Sequence, residues 1–311
     1  MPLALTKRKI LIFWMPLAAT WLMMSFEGPF LTAIIARLVD PKYNLAAWGV
    51  AFSFALIIEA PIIMIMSAAT ALVENRQSFL KLRNFTYVLN GGITIIMLFF
   101  LIPSVFYFIT LRLMGLPDEV ARLTHYATLL LLPWPGAIGY RRFYQGVLIK
   151  HNLTRRVAYG TVLRMFSILL TALILYSWFS LPGVVVGAIA LSTGVITEAF
   201  ASRLMAYRTV KLLLVRDEPA DPISYNQIYL FYYPLALTAI LALGVHPLVT
   251  FFIGHSRLAL ESLAALPVIN SLVFIFRAIG LSYQEVGIAL VGKNWEGYRE
   301  VRNFAYILSA V

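Results

Sequence analysis

The chain has 311 residues, of which 61% are apolar and only 13% charged, and its mean hydropathy is +0.83. Soluble domains carry about 25% charged residues, so this composition excludes a water-soluble globular protein. The net charge of +11 does not indicate a nucleic-acid partner, because the charges lie between apolar segments. The sequence contains no cysteine, which excludes disulfides and thiolate metal sites, and its four histidines show no ligand spacing. We therefore expect no metal site.

Cutting the chain at its charged residues yields eight apolar segments that can cross a bilayer, since a helical span needs about 20 apolar residues. In chain order they are Ile10–Ala36, Tyr43–Val73, Asn84–Leu111, a segment that starts after Pro117-Asp118-Glu119 and runs to about Ile149, two spans within Met165–Thr197 divided at Leu181-Pro182-Gly183, Asn226–Gly254 and Ser262–Val291. A ninth begins near Asn303 and ends at Val311. We expect the basic start, Met1 to Lys9, to lead into a first span that is retained. The pattern predicts an all-α, polytopic membrane helix bundle.

The distribution of Lys and Arg predicts the orientation. With the N-terminus in the cytoplasm, 19 basic residues, among them Arg141, Arg142 and Arg164, fall on the inner side and five on the outer side, as the positive-inside rule requires. We expect an integral protein of the bacterial inner (plasma) membrane, with the lipid bilayer and a small-molecule substrate as partners. The sequence does not indicate an oligomeric state.

An internal repeat organises the chain, because the segment beginning at Phe13 returns at Phe231 with an offset of 218 residues. Identical pairs are Phe13/Phe231, Pro16/Pro234, Leu17/Leu235, Ala18/Ala236, Thr20/Thr238, Pro29/Pro247, Thr32/Thr250, residues 45–47 with 263–265, and Ser53/Ser271; after one inserted residue, 83–85 match 302–304 and Tyr87 matches Tyr306. Six spans separate the copies, so they form parallel repeats around an axis along the membrane normal.

The repeat predicts the domain organisation. We expect residues 1–212 to form a six-helix transmembrane lobe, 213–225 a cytoplasmic linker, and 226–311 the start of a second, truncated lobe. Doubling the offset gives about 436 residues for two complete lobes. The chain is accordingly expected to be a fragment.

Three segments resemble a known family. They are Phe13-Trp14-Met15-Pro16-Leu17, the stretch from Gly115 to Val120 that leads to Tyr126, and Arg142-Phe143-Tyr144-Gln145-Gly146 followed by Arg155. All three are similar to segments of multidrug and toxic compound extrusion (MATE) transporters. These belong to the multidrug-oligosaccharidyl-lipid-polysaccharide (MOP) flippase superfamily. Residues 146–151 and 231–237 look most like its progressive ankylosis branch, whose members are linked to export of pyrophosphate, nucleotide or citrate-type anions. The resemblance implies two six-helix lobes and transport.

Charged residues inside the predicted spans are candidates for binding, because a charge at mid-membrane costs at least about 2.5–3.5 kcal/mol on insertion scales. Glu27 and Glu59 are the only charges in spans one and two, and the repeat pairs them with Val245 and Arg277. Either carboxylate could bind a coupling proton or cation. Alternatively, each is a structural group that hydrogen-bonds to a neighbouring helix or pairs with Arg277.

Five further residues have two interpretations each. Arg277 is the strongest anion ligand on chemical grounds, because its planar guanidinium grips carboxylate or phosphate, but it could equally form a static ion pair. Glu198 and Glu285, near the cytoplasmic ends of spans six and eight, are candidate ligands or structural groups. Arg141 and Arg142 either snorkel to lipid headgroups or form a basic vestibule that attracts anions.

Four prolines are candidates for kinks or hinges. Pro133 and Pro135 flank Trp134 in span four, whereas Pro29 and Pro247 occupy equivalent places in spans one and seven. Broken helices can line a substrate cavity, although kinks also serve packing alone.

The sequence contains no P-loop, G-x-S-x-G or H-E-x-x-H motif, so we expect no enzyme. The leading prediction is an ion-coupled secondary transporter that exports a small organic solute by alternating access, leaning to an organic or phosphate-type anion. We expect no cofactor other than a coupling ion, H+ or Na+. The alternatives are a multidrug cation antiporter, a lipid-linked saccharide flippase, and a membrane scaffold or membrane-embedded enzyme that transports nothing.

Overall fold

The computed structural model describes residues 5–215, 223–291 and 295–309, and the chain is helical throughout these ranges, with no β-strand in them. The helices are α1 (Lys7–Ile35), α2 (Pro41–Ile63), α3 (Ile65–Leu72), α4 (Arg76–Phe100), α5 (Pro103–Tyr107), α6 (Asp118–Leu130), α7 (Trp134–Lys150), α8 (Thr154–Trp178), α9 (Gly183–Val215), α10 (Tyr225–Gly254), α11 (Ala259–Leu290) and α12 (Tyr298–Ser309). A short π-helical segment, Phe108–Leu113, follows α5. The predicted all-α membrane helix bundle is confirmed.

Seven helical segments of the described chain are long and apolar enough to cross a membrane. They are α1, α2 together with α3, α4, α8, α9, α10 and α11. The pair α2 and α3 forms one span with an irregularity at Met64, three residues after Pro61. These segments correspond to seven of the eight predicted spans, and the predicted division of the long apolar stretch at Leu181-Pro182-Gly183 falls between α8 and α9.

The remaining predicted span, span four, is divided into two shorter helices. Helix α6 ends at Leu130 and α7 begins at Trp134, with Pro133 at the N-cap of α7 and Pro135 in its first turn. Proline suits the first turn, because the amide hydrogen that it lacks would have no partner there. The hydroxyl of Ser192 on α9 donates to the carbonyl of Leu130 at 2.7 Å. The two prolines that were expected to kink this span therefore separate two helices.

Pro29 and Pro247 behave differently, since α1 and α10 continue through them without a break. Near each proline the hydroxyl of a threonine, Thr32 in α1 and Thr250 in α10, donates to the carbonyl four residues earlier at 2.9 Å. Equivalent positions of the repeat thus have the same local hydrogen bond.

Helix α8 corrects the predicted topology. Because it begins at Thr154, before the predicted start of span five at Met165, Arg164 lies within the helix and is only 2% exposed. Arg141 and Arg142 are also buried, at 1% and 7% exposure, so the interpretation that they snorkel to headgroups is wrong. Removing these three from the 19 inner residues leaves 16 against five, and the cytoplasmic N-terminus stays a prediction.

The bounds of the helices reproduce the internal repeat. An offset of 218 carries 7–35 onto 225–253 and 41–72 onto 259–290, and the helices found there are Tyr225–Gly254 and Ala259–Leu290. Helix α10 is therefore the second copy of α1, and α11 is the second copy of α2 with α3. The contact of α1 with α11 and that of α10 with α2 are equivalent contacts of the two copies.

Residues at equivalent positions meet where α11 packs against α2 and α3. A Cβ atom added to Gly49 would lie 3.1 Å from Cδ of Pro267, its counterpart in the second copy. The hydroxyl of Ser67 donates to Oε1 of Glu285 at 3.1 Å, and these residues are also 218 apart. Equivalent positions of two copies meet only near the axis that relates them, so the pseudo-twofold axis passes between α11 and the α2/α3 span.

The predicted division into lobes 1–212 and 226–311 stays a prediction. Helix α9 extends to Val215 and α10 begins at Tyr225. Of the predicted linker 213–225, residues 216–222 lie outside the described ranges.

Candidate functional site

Four buried charged residues lie inside the first repeat, where α1, α7, α8 and α9 meet. They are Glu27 on α1, Arg141 on α7, Arg164 on α8 and Glu198 on α9, each exposed by 5% or less. We refer to these four residues as the buried charge cluster. Two carboxylates and two guanidinium groups make it electrically balanced, which is the condition under which charges are tolerated in an apolar interior.

Arg164 joins the two carboxylates of the cluster. Its Nη2 donates to Oε2 of Glu27 at 2.6 Å, and its Nη1 donates to Oε2 of Glu198 at 3.4 Å. Arg141 donates to the same oxygen of Glu198 through Nη1. Negative and positive charges therefore alternate along the series Glu27, Arg164, Glu198 and Arg141. In this series Arg164, on α8, connects α1 to α9.

Glu198 and Glu27 differ in how fully their oxygens are satisfied. Oε1 of Glu198 accepts from Nε2 of Gln145 and from Oγ1 of Thr161, both at 3.0 Å, in addition to the two arginines on Oε2. Oε1 of Glu27 is buried and has no hydrogen-bond partner among the described residues. Because an unsatisfied buried carboxylate oxygen is costly, Glu27 is the carboxylate of the cluster that is open to a further ligand.

Glu59 is connected to the cluster through Trp134. The indole Nε1 of Trp134 donates to Oε2 of Glu59. The guanidinium of Arg164 lies over the indole ring, with Cζ 5.7 Å from its centroid, a favourable cation–π geometry. Because Trp134 is the first residue of α7, the break between α6 and α7 determines where this side chain lies.

Arg277 lies apart from these residues. It is on the exposed side of α11 and forms no hydrogen bond or ion pair with any residue that the structure describes. The suggested pair between Glu59 and Arg277 is wrong, since Glu59 is on the α7 side of α2. A role for Arg277 as an anion ligand stays a prediction.

Arg142 and Glu285 form a second group, at the interface of the two repeats. The guanidinium of Arg142 donates to Sδ of Met66 at 3.6 Å and lies 5.4 Å from the centroid of the Trp21 ring, but it forms no ion pair in the described chain. Glu285 accepts from Ser67 through Oε1, while its Oε2 is buried without a partner in the described residues. The charges of Arg142 and Glu285 act on each other electrostatically. We call these two residues the repeat-interface pair.

Sequence reasoning missed Arg164 and Trp134 as site residues. A signal for Arg164 existed, because Arg155 and Arg156 already supply the basic end of that span. Nothing in the sequence connected Trp134 with Glu59, which is 75 residues away. No group of three or more His, Asp or Glu side chains suitable for a metal occurs in residues 5–215, 223–291 and 295–309.

Comparison with solved structures establishes the fold. The chain matches a structure described as the inward-facing conformation of a multidrug resistance MATE family transporter of the MOP superfamily, with a TM-score of 0.62 and 16% identity. That match covers 93% of this chain and 68% of the other. A second solved chain, described only as protein A, matches with a TM-score of 0.70 and 12% identity over 96% of this chain and 68% of its own.

No protein-family profile and no curated protein sequence matches the chain. At 12–16% identity the structural likeness shows the fold alone, and that fold is the one found in a MATE transporter, as the resemblance of the sequence implied. The progressive ankylosis branch and the expectation of a fragment stay predictions.

Proposed function

We propose that the protein is a secondary transporter that moves a small organic solute across the membrane by alternating access of its two repeats. In this proposal a coupling ion, H+ or Na+, acts at Glu27 in the buried charge cluster. The observation that carries the proposal is the position of α1, which connects the cluster to the interface between the repeats.

Helix α1 contacts both regions through adjacent residues. Glu27 bonds to Arg164 inside the first repeat, and the next residue, Gly28, lies against the second repeat. A Cβ atom added to Gly28 would be 2.7 Å from Cβ of Ser271, so the helices touch through the glycine. A change in the interactions of Glu27 is therefore transmitted by one helix to the contact between α1 and α11.

The chemistry of Glu27 suits an ion-dependent step. A proton or Na+ that binds its free oxygen would neutralise the carboxylate and weaken its attraction to Arg164. Arg164 would still interact with Glu198, so the arginine would not be left without a partner. Ion binding would thereby loosen α1 from α8 while the rest of the cluster stays intact. Intramembrane ionisable groups commonly act as ion carriers in this manner.

The solute is proposed to be an organic or phosphate-type anion, exported from a bacterial cytoplasm. Arg142 supports an anion, since it is a buried guanidinium without an ion pair in the described chain. The surplus of basic residues on the side where α1 begins supports an N-terminus in the cytoplasm. On that side the same basic residues would attract anions.

One observation favours a second candidate, a multidrug cation antiporter. In the described chain four glutamates are buried, namely Glu27, Glu59, Glu198 and Glu285. Three arginines are buried, namely Arg141, Arg142 and Arg164, so the carboxylates outnumber the guanidinium groups by one. A surplus of negative charge would suit a cationic solute.

Flux measurements on proteoliposomes test the proposal. We would compare citrate and pyrophosphate with cationic dyes, under imposed proton and Na+ gradients, in the wild type and in Glu27→Gln. The matched control is Glu119→Gln, which alters an exposed ion pair with Arg122. We expect gradient-driven anion flux that is lost in Glu27→Gln and kept in Glu119→Gln.

Each other outcome has a definite meaning. Dye flux without anion flux would replace the anion proposal by the cation antiporter. Flux that is equally ion-dependent in Glu27→Gln would remove Glu27 as the coupling residue. The absence of flux for both solute classes in folded protein would contradict transport of small organic ions.

A further inference from the structure

We infer that a groove on the outer face of the first repeat, between α4 and α9 and over α7, binds the headgroup of an anionic phospholipid. Each of these three helices contributes two residues that are four positions apart and therefore lie on one helix face. The six residues are Arg83 and Tyr87 on α4, Tyr140 and Tyr144 on α7, and Arg203 and Tyr207 on α9. We call them the Arg–Tyr groove. It contains no residue of the buried charge cluster.

Three tyrosines join α4 to α7. The hydroxyl oxygens of Tyr87 and Tyr144 lie 3.4 Å apart. The ring of Tyr140 is stacked with that of Tyr87, with centroids 6.2 Å apart, and its centroid lies 4.9 Å from that of Tyr144. These rings form the floor of the groove and supply hydroxyl groups that can donate to a ligand.

A guanidinium group lies on either side of the floor. Cζ of Arg83 is 5.8 Å from the centroid of the Tyr87 ring. Cζ of Arg203 is 5.1 Å from the centroid of Tyr144 and 5.9 Å from that of Tyr207. Such cation–π contacts position a guanidinium group without using its N–H donors.

Both arginines keep donors that the protein does not use. Nε of Arg83 and Nη1 of Arg203 are buried and have no hydrogen-bond partner among the described residues, and neither arginine forms an ion pair there. Helices α4 and α7 contain no Asp or Glu, and the one acidic residue of α9, Glu198, belongs to the buried charge cluster. Buried donors without an acceptor are costly, so the groove is built for an anion.

Helical geometry directs the groove away from the second repeat. Phe85 on α4 faces α10, because its ring centroid lies 5.4 Å from that of Tyr232. Arg83 and Tyr87 come two residues before and after Phe85, and two residues turn an α-helix by about 200°. The Arg–Tyr face of α4 therefore lies opposite the face that contacts the second repeat, outside the interface where the two copies meet.

The surroundings favour a lipid over a free phosphate compound. Val88 on α4 and Leu204 on α9, which directly follow groove residues, are 77% and 75% exposed, and both helices are long and apolar enough to cross a membrane. Apolar side chains at such positions contact acyl chains. Arg83 is seven residues, or about 10 Å, from the start of α4, a depth from which a long basic side chain reaches lipid phosphates.

The charge of the groove selects the headgroup. Guanidinium groups bind phosphate through paired N–H donors. A zwitterionic headgroup would also bring an ammonium group, for which these helices offer no free carboxylate, and Arg203 already lies over the rings of Tyr144 and Tyr207. A phospholipid with a net negative charge therefore fits the groove better than a zwitterionic one does.

The internal repeat contains the same pair of residues a second time. Arg302 and Tyr306 in α12 correspond to Arg83 and Tyr87 in α4, and both are exposed. Cζ of Arg302 lies 5.4 Å from the ring centroid of Tyr298 on its own helix. An arginine over a tyrosine ring of the same helix thus occurs at this place in both copies, which supports a role that does not depend on the neighbours of one copy.

Competition between two phospholipids tests the site. Native mass spectrometry on the purified, detergent-solubilised protein would count bound phosphatidylglycerol and phosphatidylcholine, supplied in equal amounts with the same acyl chains. We expect the wild type to carry more phosphatidylglycerol, and Arg83→Gln with Arg203→Gln to lower this preference about fivefold or more, because each arginine near the headgroups strengthens the binding of anionic lipid. The matched control is Arg76→Gln with Arg208→Gln, two exposed arginines of the same helices, and it keeps the preference.

Three outcomes would overturn the inference. Equal binding of the two lipids by the wild type would remove the anionic headgroup. A preference that survives in Arg83→Gln with Arg203→Gln, or that the control variant loses to the same extent, would remove the Arg–Tyr groove as the site. All these measurements are made without an ion gradient, so their result does not depend on transport.

The unfolding midpoint separates a lipid from a free phosphate compound. Phosphatidylglycerol should raise the midpoint of the wild type, whereas glycerol phosphate at the same concentration, which has no acyl chains, should not. An equal rise with glycerol phosphate would replace the lipid by a soluble phosphate ester and overturn the assignment.

A conservative substitution keeps the test decisive if the double variant fails to fold. Arg203→Lys retains the positive charge but loses the planar fork of donors, so it should reduce the preference for phosphatidylglycerol, by less than Arg203→Gln does. A preference unchanged in both single variants would overturn the role of Arg203.

Discussion

The two copies of the repeat have the same local hydrogen bonds in their helices but differ in their charged residues. Thr20 in α1 and its counterpart Thr238 in α10 each donate to a proline carbonyl four residues earlier, both at 2.9 Å. The position of the buried Glu27 in α1, however, is occupied by the exposed Val245 in α10. A repeat therefore preserves the hydrogen bonds that a helix makes with itself, while the charge at a position depends on which helices pack against it.

The same contrast holds in the second helix of each copy. Glu59 in α2 accepts a hydrogen bond from Trp134 on α7, whereas the equivalent Arg277 in α11 forms no hydrogen bond or ion pair within the described chain. Substitutions at buried charges of the first copy should accordingly have large effects. Substitutions at the equivalent exposed positions of the second copy should have small ones.

The largest expected effect belongs to Arg141→Gln. It leaves Glu198 with one fewer guanidinium in a fully buried site, and breaking a buried pair costs about 3–5 kcal/mol. Chemical denaturation in detergent micelles would measure the free energy of unfolding, with the exposed Arg277→Gln of the second copy as the control. Equal stabilities of the two variants would contradict the distinction between the copies.

Trp134→Phe should have the next largest effect. It removes the donor to Glu59 and leaves a buried carboxylate oxygen unsatisfied, which costs about 1–3 kcal/mol, at the upper end because the group is charged. Trp178→Phe is the control, since Trp178 is 78% exposed at the end of α8. If chemical denaturation showed the same small loss of unfolding free energy for both variants, the hydrogen bond between Trp134 on α7 and Glu59 on α2 would be unimportant for stability.

Gly28→Ala tests the contact between the copies. The added methyl group would lie 2.7 Å from Cβ of Ser271, and overpacking of this kind costs about 1–3 kcal/mol. The second substitution Ser271→Gly should restore most of the lost stability. Gly92 has open space around it, so Gly92→Ala should lose no stability through overpacking. A double variant as unstable as Gly28→Ala alone would show that α1 and α11 do not pack as described.

The smallest effect is expected at the outermost contact between the copies. Lys42 in α2 and Glu261 in α11 form an exposed ion pair at 2.8 Å, and exposed pairs contribute little because water and salt screen them. Lys42→Gln should lower the unfolding midpoint by less than Gly28→Ala does, and added salt should remove the difference from the wild type. A large, salt-independent loss would contradict this expectation.

The sequence predicted the helices and the repeat well, because both depend on local composition. Apolar length alone located seven of the eight predicted spans, and the 218-residue offset anticipated helix bounds that recur in the structure. The repeat also indicated correctly that the two copies are related by an axis, since Ser67 and Glu285 meet.

The buried arginines could not be placed by the same reasoning. Cutting the chain at charged residues assumes that a charge lies outside the membrane, and Arg164 violates this assumption because Glu27 and Glu198 neutralise it from other helices. The separations in sequence are 137 and 34 residues. Periodicity and composition carry no information on such pairs, so the candidates Glu27, Glu59 and Glu198 were identified without their partners.

The meeting of Ser67 with Glu285 also bears on why the two copies lie on one chain. In a homodimer of a six-helix subunit, a residue at this place would face itself across the symmetry axis. Two serines could bond to each other, but two glutamates would repel, and a donor could never face a different acceptor. Gene fusion removes this self-complementarity. Once joined, the copies can evolve separately at their shared axis, and an asymmetric hydrogen bond becomes available to a pseudo-symmetric protein.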